Sequence, residues 1–70
     1  VTPEELIKLT NFLRKQFQNT QIIVKKRPQK SDSAEVYIAE EFIGVIFRDD
    51  EDGDLSYNFQ MAILDFDLES

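Results

Sequence analysis

"AEVYIAEEFIGVIF" (residues 34–47) decides the fold. Two runs rich in β-branched and aromatic residues flank a short polar interruption, the pattern of a β-hairpin. We read a strand over 34–38, a tight turn around Ala39–Glu41 and a strand over 42–48. No Asn-Gly or Asp-Gly marks the turn, so the hairpin rests on its flanks.

Downstream, Leu55, Tyr57, Phe59, Met61 and Ile63 alternate with Ser56, Asn58, Gln60 and Ala62, which gives another strand. At Leu64 the phase flips, and Leu64, Phe66 and Leu68 alternate with Asp65, Asp67 and Glu69. A regular strand cannot absorb that slip, so a bulge or break is expected near 62–65. Upstream, "QIIVKKR" (21–27) reads as a strand ended by Pro28, and "QKSDS" (29–33) as a polar loop. The chain begins with a helix over about 3–18. Thr2, Pro3 and Glu5 form its capping signals, and Val1 and Leu6 stand at staple spacing. Leu6, Leu9, Leu13 and Phe17 make its apolar stripe, widened by Ile7 and Phe12, and Asn19 is the expected left-handed cap.

The sum is a single α+β domain over residues 1–70, an N-terminal helix packed on a four-stranded antiparallel β-meander. The helix is expected to cover the face carrying Ile22, Val24, Val36, Ile38, Ile43, Val45, Phe47 and the Leu55–Ile63 set. Alternation sends Ile23, Tyr37, Phe42 and Ile46 to the second face, where an apolar patch would form an interaction surface.

Composition narrows the function. The chain has no cysteine and no histidine, so disulfides, thiolate zinc sites and the commonest general base are absent. No apolar run approaches the ~20 residues of a membrane span. The N-terminus lacks a signal-peptide layout. Seventy residues leave little room for a substrate pocket, and no serine sits near a base, so an enzyme is not expected and no cofactor is implied. Net charge is −6, unevenly spread. Residues 1–30 hold seven Lys/Arg and two Glu, while residues 31–70 hold one Arg and twelve acids. Such asymmetry points to charged partners or self-association.

Two charged stretches invite a binding reading. Asp49 to Asp54 hold five carboxylates around Gly53, and Asp50, Asp52 and Asp54 fall at calcium-loop positions. Arg48 and Phe59 occupy the positions where that loop needs its first and last carboxylates, so the pattern fails. A hairpin connection with Gly53 at positive φ is the plainer reading, with divalent binding in roughly the millimolar range. Lys25, Lys26, Arg27 and Lys30 form a basic patch that phosphates would meet in a salt-sensitive way. No recognition helix or RNA-stacking motif accompanies it, and a solvated edge strand accounts for it as well.

The stretch "AEVYIAEEFIGVIFRDDEDGDLSYNFQMAILDFDL", with "TPEEL" near the start, resembles a family of small bacterial proteins known only as a domain of unknown function. "EDGDLSYNFQMAIL" is the most distinctive part, and the similarity spans nearly the whole chain. It implies a small cytoplasmic bacterial protein and carries over no functional residue. The expectation is a non-enzymatic protein-interaction module, homodimeric through its second sheet face. The alternative is a weak divalent-cation or nucleic-acid binder using loop 49–54 or strand 25–30.

Overall fold

The helix starts where its local chemistry says it should. In the computed structural model, which describes residues 1–51 and 53–69, α1 runs Pro3–Gln16. Thr2 Oγ1 accepts the Glu5 amide, and Glu5 Oε1 accepts the Thr2 amide, closing the capping box. The helix stops two residues before the expected end. Gln18 takes the left-handed conformation at φ 53, and the Asn19 amide donates to Arg14 O while that of Gln18 donates to Lys15 O. Those bonds make a Schellman motif, so the left-handed residue is Gln18 and not Asn19.

Four strands follow, β1 (Ile22–Arg27), β2 (Lys30–Ile38), β3 (Glu41–Asp49) and β4 (Ser56–Gln60), all antiparallel in the order β1-β2-β3-β4. The expected α+β meander is the observed one. Most of the loop expected at 29–33 belongs to β2, because Lys30 pairs with Arg27 across an irregularity that re-forms the ladder after Lys26. The β2–β3 turn rests on Ala39 and Glu40, both at positive φ (50 and 70). Two consecutive left-handed residues give the twist a two-residue hairpin needs. Ala and Glu adopt it at a steric cost that Asn-Gly would avoid.

The largest departure lies in β3. Val36 faces Gly44 but Tyr37 faces Phe42, which leaves Ile43 as an extra residue. That bulge advances the alternation by one. Ile46 therefore points to the helix side and is 2% exposed, in the core rather than on the second face. Val45 and Phe47, expected inward, fall on the opposite side with Glu35 and Ser33 as their partners. Gly44 has no room for a side chain. A Cβ there would lie 2.4 Å from Gln60 O and 2.7 Å from the Phe59 ring, which covers it.

The core comprises Leu13, Ile22, Val24, Ala34, Val36 and Ile46, flanked by Leu6, Leu9, Ile38, Ile43, Tyr57 and Phe59. Ile7, Phe12 and Phe17 are exposed, so the helix buries a narrower stripe than its sequence offers. β4 leaves the sheet at Gln60, two residues before the window expected for the break. Residues 61–64 run irregularly into a short 3-10 helix, Asp65–Glu69, whose first turn closes on itself as Asp67 Oδ2 accepts the Leu64 amide.

Candidate functional site

The acidic connection is a turn. The Gly53 amide donates to Asp50 O at 3.3 Å, and Gly53 has φ 80. Asp49 Oδ1 accepts the Glu51 amide, a local bond of the kind that favours Asp in turns. Asp50 pairs with Arg48 at 3.0 Å, so its carboxylate is already matched. Of the three cation candidates, Asp54 is exposed and Asp52 lies outside the described residues. Among the described residues no three potential ligands converge.

The basic stretch is divided by the strand it sits on. Lys25 turns to the second face, with Nζ 4.6 Å from the centroid of the Tyr37 ring. Lys26, one residue on, pairs with Ala34 on the helix side. Arg27 donates to Ser33 Oγ at 3.1 Å, and Lys30 lies beside it across the turn. The four charges share one end of the sheet but not one face.

On the second face Ile23, Tyr37 and Phe42 stand side by side across three strands, since Ile23 pairs with Tyr37 and Tyr37 with Phe42. The two rings meet edge to face at 5.7 Å. Tyr37 Oη donates to Glu35, and that bond to a carboxylate raises the phenol's pKa. The bulge replaces Ile46 in this surface with Val45 and Phe47.

One cluster escaped the sequence reading. Glu5 Oε2 accepts both Arg48 Nε, at 3.0 Å, and the Tyr57 hydroxyl, so the first turn of α1 is fastened to β3 and β4. The Tyr57 bond above all, then the Thr2 amide, hold the Glu5 carboxyl at about 2, with Arg48 adding to them against the effect of burial. The Tyr57 phenol is raised by the same contact. A signal was available, because Arg48 is the single cation of residues 31–70.

The apolar surface gathers at the C-terminal end. The helix covers the β1 side of its face and leaves a cavity of about 220 Å³ on the β3 side, lined by Leu13, Phe17, Ile38, Ile43, Phe59 and Met61 among others. A wider cleft of about 870 Å³ opens between the start of β3 and residues 60–67. Leu55 and Met61 are 50% and 54% exposed, and Phe66 reaches 78%.

Comparison with known proteins places the sequence in a family. A family model described as Protein of unknown function (DUF3126) matches residues 5–67. The chain belongs to that family. The DUF3126 match takes in the Glu5 carboxylate, the whole sheet and the tail as far as Asp67. No curated protein and no solved structure matches the chain. Among the described residues no helix of this DUF3126 member is long and apolar enough to cross a membrane.

Proposed function

We propose that the chain is a non-enzymatic protein-interaction module that works as a homodimer. One observation carries the reading. Among the described residues eleven large apolar side chains are exposed while six apolar residues are buried, so the single copy leaves an unusual number of large apolar side chains open to a partner. A chain of this size has little core to spare, and covering that surface is the available source of stability. The second sheet face, with Ile23, Tyr37 and Phe42, is one surface offered to a partner. A bacterial, cytoplasmic setting belongs to the same reading and rests on the resemblance alone. The cation or nucleic-acid alternative has less support, since Asp50 is already paired and the basic residues divide between two faces. Light scattering over a concentration series in half-molar salt tests the choice. Apolar association gives a dimer that persists there, whereas a monomer at every concentration overturns the reading.

A further inference from the structure

We propose that two copies join edge to edge along β4, antiparallel about a two-fold axis at Asn58, to make one eight-stranded sheet. The proposal rests on the homodimer reading and names the surface through which it forms.

The two edges of the sheet are treated differently. At β1 two outward backbone groups are bonded to the helix, since Thr10 Oγ1 accepts the Val24 amide at 3.1 Å and Arg14 Nε donates to Ile22 O at 2.7 Å, and the rest of the strand carries Lys25, Lys26 and Arg27. Helix cover of this kind is a usual way to stop a strand pairing further. At β4 no backbone bond beyond those to β3 is made by residues 56–60 among the described residues. The strand also lacks the devices that keep an open edge monomeric. It holds no Lys, no Pro and no bulge, and it lies in residues 55–64, the longest uncharged run of the chain. A neutral, unbulged, aromatic-bearing edge is a hazard unless something covers it.

A second copy of the same strand fits. The register that lays the whole of β4 on itself sets Asn58 against Asn58, Ser56 against Gln60 and Tyr57 against Phe59. One step further it sets Leu55 against Met61, which are half exposed in the single chain. No charge opposes another at any of these positions, although the chain carries −6 overall. With the axis perpendicular to the sheet, Tyr57, Phe59 and Met61 of both copies share the helix-side face, so the apolar strip doubles across the axis. The second faces also become continuous. Because β1 is blocked at Ile22 and Val24 by the helix and carries Lys25, Lys26 and Arg27 beyond, each copy has one neutral open edge to give, and pairing ends at two rather than running on into a fibre.

The chain has no cysteine, so a single Asn58→Cys substitution gives a clean test. Cα atoms directly opposed in an antiparallel pair lie about 4.5–5.5 Å apart, within disulfide reach. Under mild oxidation Asn58→Cys is expected to cross-link most of the protein as a dimer, while Ile23→Cys and Phe42→Cys, on the second face, do not. Asn58→Lys, at an exposed position that the fold tolerates, sets two ammonium groups together at the axis and is expected to weaken the dimer at least tenfold by light scattering. A wild type that is dimeric, yet cross-links at Ile23→Cys or Phe42→Cys and not at Asn58→Cys, overturns the edge pairing and leaves the homodimer standing. A monomer throughout overturns both, and assemblies larger than two refute the closed two-fold.

Discussion

Replacing Glu5 by glutamine isolates the charge of the clamp that fastens α1 to the sheet. The amide keeps its volume and an oxygen for the Thr2 amide, and loses the negative charge shared by Tyr57 and Arg48. In the folded chain the carboxyl titrates at about 2 against its usual 4.5. A lowered folded value means the group stabilises the fold fully above about 4.5 and gives up that contribution as the pH falls towards 2. At ~1.36 kcal/mol per pH unit the displacement sets a ceiling of about 3.4 kcal/mol. The side chains of Glu5 and Arg48 are 18% and 36% exposed, and water screens the pair. The expected loss on Glu5→Gln is therefore about 1.5–2 kcal/mol at pH 7. With a urea m-value near ~1 kcal/mol per molar for a small domain, the unfolding midpoint should fall by about 1.5–2 M. Far-UV circular dichroism at one fixed protein concentration reads this directly. The gap between wild type and variant should shrink to about a quarter of its neutral size by pH ~2.5. A gap that is the same at both pH values, or missing at pH 7, refutes the clamp.

Gly44→Ala should cost about 2–3 kcal/mol, seen as a fall of more than about 10 °C in thermal midpoint, because the new methyl meets the Gln60 carbonyl and the Phe59 ring. Ala39→Asn with Glu40→Gly should raise stability by about 1 kcal/mol in the same melt, by relieving two left-handed residues. Ile46→Ala should cost about 2–4 kcal/mol in urea unfolding while Phe42→Ala stays within about 1, the reverse of two equivalent surface positions. Calcium added to isotope-labelled protein should give small, fast-exchange shifts confined to residues 49–54 with half-saturation in roughly the millimolar range. Micromolar saturation would contradict the turn.

What the sequence disclosed and what it hid divide by the distance over which the cause acts. The helix start was legible because Thr2, Pro3 and Glu5 act within one turn. The order of the strands was legible because each pairs with its chain neighbour. The fate of Ile46 was not, since the bulge at Ile43 depends on matching Val36 with Gly44 across the hairpin. An isolated glycine inside a strand pattern was the available hint. On the second face Ile23, Tyr37 and Phe42 were placed together correctly, because they precede the bulge or lie on strands without one there. The Glu5 cluster was hidden by separations of 43 and 52 residues, which no local pattern reports.

Those separations also bear on how fast the chain folds and how long it stays folded. Every strand meets its predecessor through a hairpin, and α1 rests on the strand that follows it. Chains so rich in local pairing fold quickly, since little loop entropy is lost before contacts form. The bonds from Glu5 to Arg48 and Tyr57 span 43 and 52 residues, so they are expected to form after the transition state has been crossed. Loss of that carboxylate should leave the folding rate nearly unchanged and hasten unfolding instead. The clamp thus governs the lifetime of the native state rather than the speed of reaching it.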